Sequence, residues 1–288
     1  MNASKQRLLI AMLSGALALS ACSNDTGGRV AGPGELGHIH DLVIDEDGSL
    51  LVASHSGLYR IESIDRAVLV GSEQHDLMSM AADNADILAS GHPDLRLEKY
   101  RVEDHPPHLG LARSDDGGET WTVDADLLGK HDFHALAPTD AGVYAADTAG
   151  VIMLRTPSGD WENLGALAAR DLAVNPLNPS QLIATDEDGA TWASGDGALT
   201  WESLPNAPAV IEIEWTAYNQ IIAASADGTL WQTTAPIDAW SEIATGPSDV
   251  ETVHIEDGRW WVTVHGGAIH TSIDDGESWT PVYAPPGR

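Results

Sequence analysis

The 288-residue chain has a single cysteine and only 14 lysines and arginines, against 44 aspartates and glutamates. One thiol excludes an intramolecular disulfide framework and any soft metal site built from clustered cysteines. The formal charge of −30 excludes nucleic acid as a partner, because phosphate contacts need basic side chains. Such an acidic surface is solvated and self-repelling, suits salty surroundings, and steers cations rather than anions. The sequence also contains no nucleophile elbow, no phosphate-binding glycine loop and no Cys-x-x-Cys redox pair. The turns "DEDGS" (45–49) and "DEDGA" (186–190) lack the ligand series of a calcium loop and read as hairpin turns.

One long apolar run is present, and it sits at the start. Lys5 and Arg7 precede "LLIAMLSGALALSAC", which is too short to span a bilayer and ends in small residues, the pattern of a secretory signal over 1–21. Its last four residues, Leu19-Ser20-Ala21-Cys22, resemble the bacterial lipobox, in which the cysteine becomes the lipidated first residue. That resemblance implies lipidation of Cys22, anchorage to the cell envelope by acyl chains alone, and no spanning helix. Ser23 resembles an outer-membrane sorting signal. The polar, Gly-rich stretch over 22–37 reads as a flexible tether.

Beyond it the chain repeats. Trp121, Trp161, Trp201, Trp240 and Trp279 recur every 39 or 40 residues, so one structural unit is used again and again. Three of them close the segments "SDDGGETW" (114–121), "SGDGALTW" (194–201) and "SIDDGESW" (272–279). These resemble the Asp-box of sialidase-type β-propellers, in which Asp bonds a tight hairpin, Gly supplies positive φ and Trp fills the gap to the next sheet. Each unit parses as four short strands, giving units at 38–71, 75–129, 131–165, 169–205, 207–245 and 246–286. The expected fold is therefore all-β: a six-bladed β-propeller over 38–286 with Asp-boxes as the turns between third and fourth strands. The second unit carries an insertion, "PDLRLEKYRVEDHPPH" (93–108).

In an up-and-down blade, the start of the first strand and the end of the second share one rim. His40, His75 and His134 open first strands, while His55, His92 and His265 end second strands. Of the twelve histidines, all but His254 and His270 fall on that rim. Converging neutral imidazoles are ligands for transition metals. The expected site is a copper or zinc centre on His40, His55, His75, His92, His134 and His265. His38, Asp76, Asp94, His105, His108, His131 and Arg170 lie around it as supporting or accessory groups.

The chain resembles bacterial Asp-box lipoproteins described as sialidase-like or glycosylhydrolase-like, with "ASGHPD" (89–94) and "LGLARSDDGGETW" (109–121) carrying the likeness. The resemblance implies an architecture more than a reaction, since it makes exo-glycosidase activity an alternative without supplying the sialidase machinery. Only Arg170 of the needed arginine cluster opens an inner strand, Arg60, Arg113 and Arg155 fall on outer strands, and the Arg-Ile-Pro signature is missing. Hydrolysis by two carboxylates would draw on Asp76, Asp147, Asp171 and Glu187. A third alternative is a platform for a protein partner, as in photosystem assembly factors with similar blades.

Overall fold

Short apolar runs separated by Gly- and Asp-bearing turns fold into twenty-four strands, β1–β24 in chain order. In this computed structural model residues 28–286 are described, except 148, 217 and 238. The expectations placed on residues 1–27, Cys22 among them, lie outside the described residues. The strands form six four-stranded antiparallel sheets, each in chain order. The six inner strands, β1 (Ile39–Ile44), β5 (Asp76–Asp83), β9 (Phe133–Thr139), β13 (Ala169–Val174), β17 (Glu212–Trp215) and β21 (Val250–Glu256), pack side by side around one axis, and β21 returns against β1. This is the six-bladed propeller that the tryptophan spacing predicts.

Second strands are sandwiched between neighbouring blades, so they are buried on both faces rather than alternately. β2 (Leu50–Ser54) is buried at every position. The apolar layer between the first two blades joins Leu51, Ala53, Leu58 and Val70 to Leu77, Ile87, Ala89 and Trp121. In the turns that begin at Ser114, Ser194 and Ser272 the serine hydroxyl accepts the backbone N–H four residues on, and the aspartate accepts the backbone N–H six residues after the serine. Ser114 Oγ accepts from Gly118 N at 2.8 Å, and Asp116 accepts from Thr120 N at 2.9 Å. Gly118 has a φ of +87°, and a Cβ there would lie 2.1 Å from Leu58 Cδ2 of the preceding blade. Gly118→Ala is therefore expected to cost about 1–3 kcal/mol through overpacking and backbone strain, read as a lower urea midpoint at unchanged slope.

Five of the six inner strands share a bulge, β17 being the exception. In β1 the register skips from Ile39 to Asp41, in β5 from Leu77 to Ser79, in β13 from Ala169 to Asp171 and in β21 from Val250 to Thr252. The residue after the bulge ties one blade to the next. Asp41 Oδ2 accepts from Met80 N at 2.8 Å and Asp171 Oδ2 from Ile213 N at 2.7 Å, while Glu212 takes the backbone N–H of Val253. The bulged residues, His40, Met78, His134, Arg170 and Glu251, all line the mouth of the central channel, a cavity of about 610 Å³.

The segment expected to be a free tether is, over residues 28–37, part of the fold. Its backbone pairs with β4 (Arg66–Leu69) through Ala31 N to Ala67 O at 2.9 Å and Leu69 N to Arg29 O at 2.8 Å. Leu36, 2% exposed, enters the layer between the last and first blades with Trp261, Ile269 and Tyr283. Its apolar side chain finds there a seam that neither blade fills alone.

Candidate functional site

Around the channel mouth the side chains of four consecutive blades, the sixth and the first to third, form one polar arc. On the first blade His40 Nε2 lies 3.3 Å from His55 Nδ1. His55 Nδ1 is in turn 2.7 Å from Asp76 Oδ1. Asp76 reaches on with Oδ2 to His92 Nδ1 at 3.2 Å, and His92 Nε2 lies 3.2 Å from Asp132 Oδ2. The same Asp132 oxygen is 3.2 Å from His134 Nε2. On the other flank His38 Nδ1 and His265 Nδ1 approach Glu251 Oε1 at 2.8 and 3.1 Å, and the His38 and His265 rings meet edge-on with centroids 4.5 Å apart.

Three subsets of this arc have the spacing of metal ligands. His38, Glu251 and His265, then His40, His55 and Asp76, then His92, His108 and Asp132 each bring one donor atom apiece within 4.8 Å of the others. The third subset has a further property: His108 Nδ1 and Asp132 Oδ1 are both buried with no hydrogen-bond partner among the described residues. Buried polar atoms without a partner are costly, and these two belong to residues of one donor cluster.

Electrostatics divides the histidines. Burial, aided by repulsion from His55, brings His40 down to about 4, so its imidazole is neutral at physiological pH. Hydrogen bonds to Asp132 and Asp76 push His92 up to about 10, which favours the imidazolium with one N–H toward each carboxylate. Burial works to raise Asp76 and Asp132, yet their histidine partners hold both below the ordinary carboxylate range.

Of the histidines expected as ligands, His40, His55, His92, His134 and His265 join the arc, and His75 does not. His75 is 1% exposed, with Nε2 2.9 Å from Glu73 Oε2 and Nδ1 accepting from Asp94 N at 3.0 Å. Both ring nitrogens are used inside the protein. As openers of first strands His75 and His40 would be equivalent, but the bulge register equates Leu77 with Ile39, so Met78 holds the position of His40. His75 and Asp94 instead pin the insertion to the rim. Asp94 pairs with Arg96, and Glu73 also receives Lys99 Nζ and Tyr100 Oη.

The remaining accessory residues separate by place. His108, carried by the insertion, is drawn into the arc, whereas His105 is exposed over Gly129. His131 pairs with Asp147 at 3.2 Å and stacks on Phe133. Arg170 stands at the fourth blade's share of the mouth, bonded to Ile211 O at 3.1 Å with Glu187 and Glu212 each 3.7 Å away. Asp132 and Glu251 were missed at first. Both lie at inner-strand positions equivalent to His38 and His40, a signal visible only once the bulge is known. Of the carboxylates considered for hydrolysis, Asp76 is held by two histidines, Asp147 by His131 and Val151 N, and Asp171 by two backbone N–H groups, while Glu187 lies 3.7 Å from Arg170.

No protein-family model matches the chain, and no curated protein does. Among solved structures, a chain of a nidogen/laminin complex aligns with a TM-score of 0.60 at 13% identity, covering 82% of this chain and 93% of that one. A GH74 enzyme of Niastella koreensis aligns at a TM-score of 0.59 and 14% identity, covering 88% of this chain and 46% of the enzyme. YCF48 bound to a D1 peptide gives 0.47 at 17% identity, over 74% and 70% of the two chains. At these identities the likeness is one of fold, the β-propeller.

Proposed function

We propose that the channel mouth binds a transition metal, copper or zinc, in a lipid-anchored protein of the bacterial cell envelope that handles metal or serves as an accessory binding protein. The observation that carries this reading is the subset His92, His108 and Asp132, whose donor atoms gather within 4.8 Å and in which His108 Nδ1 and Asp132 Oδ1 are buried without a hydrogen-bond partner. The outer partners are already in place, since Asp76 holds the far nitrogen of His92 and His134 braces Asp132. Met78 adds a thioether at the register position of His40 and His134, and that softer donor favours copper. The acidic surface draws cations toward the mouth, and acylation at Cys22 would keep the propeller at the membrane.

The test is metal content of tag-free protein followed by calorimetric titration with Zn²⁺ and Cu²⁺ at pH 7.5. The wild type is expected to bind, and His92→Ala combined with Asp132→Ala to weaken binding roughly a hundredfold or more. His105→Gln, at an exposed residue outside the arc, should bind as the wild type does. Absence of binding by the wild type, or an equal loss in His105→Gln, would overturn the assignment.

A further inference from the structure

Resting on that metal reading, we infer that the mouth holds two ions coupled through Asp76 and His92. The first ion lies on His40, His55 and Asp76, and the second on His92, His108 and Asp132.

The argument is in how each bidentate side chain divides its atoms. A metal-bound histidine uses one nitrogen for the ion and gives the other to an outer partner. His92 has Nε2 beside Asp132 Oδ2 at 3.2 Å, within the second subset, and Nδ1 beside Asp76 Oδ2 at 3.2 Å, outside it. Asp76 divides in the same way. Its Oδ1 faces His55 at 2.7 Å, inside the first subset, and its Oδ2 is left for His92. The order ion, Asp76, His92, ion then follows without moving a residue. Each end has its own donors, and the subsets share no member, so a single ion would leave one set of donors without a cation.

The flanking group of His38, Glu251 and His265 is not part of the coupled pair, because the second oxygen of Glu251 accepts from Ile39 N at 3.0 Å rather than meeting a histidine of another subset.

The link between the two sites can be measured. With Asp76 on its Nδ1 side, His92 would offer Nε2, the nitrogen facing Asp132, to the second ion, so the two ions would be linked through one carboxylate and one imidazole. A pair bridged in this way brings two metal centres close enough for their unpaired electrons to interact when both are cupric.

The experiment loads the full chain with two equivalents of Cu²⁺, removes free metal by dialysis, and records copper per chain and the electron paramagnetic resonance spectrum. The wild type is expected to retain two coppers with a spin-coupled signal. Asp76→Asn, checked for fold by circular dichroism, should retain one copper with an uncoupled spectrum and bind a second about 10–100-fold more weakly. One copper per wild-type chain, or two with no coupling, overturns the pair while leaving the single-metal reading intact. No retained copper or zinc overturns that reading as well. The wild-type stoichiometry decides the matter even should Asp76→Asn fail to fold.

Discussion

A chain that begins at His38 is expected to lose on the order of 5 kcal/mol of stability relative to one that begins at residue 28, a large part of what holds a typical domain. The reason is the seam between last and first blades. All four strands of the first blade come from the start of the domain and all four of the sixth from its end, so no strand crosses the seam to lock it. Residues 28–37 take on that role. Leu36 alone, on truncation to alanine, should cost about 2–5 kcal/mol, and three backbone hydrogen bonds, at Leu69, Ala31 and Gly266, add about 1 kcal/mol each. The fit at the seam is close: a Cβ on Gly267 would lie 1.7 Å from Leu36 O. Urea melts of the two chains check this. Equal midpoints would show the segment to be a tether after all, and Leu36→Ala should fall between the two.

How far the site could be read before the fold was known depended on which positions obey simple geometry. His55, His92 and His265 follow or end second strands, and strand ends are marked by turn residues, so the rim they share was legible. Trp121, buried at 7% exposure against the first blade, shows why a tryptophan every 39 or 40 residues reports blade packing. His75 was misplaced because a bulge changes which residue faces the axis, and a bulge leaves no mark in local composition. Asp132 and Glu251 were passed over because carboxylates are abundant in so acidic a chain; only their register beside imidazoles distinguishes them. Leu36 was hidden in a stretch whose glycines read as flexibility, although two apolar side chains there, Ala31 and Leu36, are buried.

The metal-free protein is expected to be most stable in mild acid and to weaken as the pH rises toward 8. Burial in the channel wall pushes Glu214 and Asp41 up to about 7, from ordinary values of 4.5 and 3.8, even though Asp41 accepts two backbone N–H bonds. A carboxyl raised in the folded state keeps its proton after the unfolded chain has released it. Its contribution is therefore complete below about pH 4 and disappears as the pH climbs through 7. His92, raised to about 10, has the same sign: its stabilisation is full below about 6.5 and is lost at high pH. The opposite limb comes from Asp76 and Asp132, held low by their histidines, and from His40, brought to about 4. Their contributions fade as the pH falls, which closes the optimum from the acid side. Glu214→Gln separates the two limbs, because glutamine keeps the shape of the protonated acid and cannot ionise. Between pH 5 and pH 8 the wild type should lose about 2–3 kcal/mol more than Glu214→Gln in chelator-treated protein. The variant should thus match or trail the wild type at pH 5 and exceed it at pH 8. A parallel shift at both values would mean that Glu214 ionises freely in the channel, solvated by water rather than held neutral by its wall.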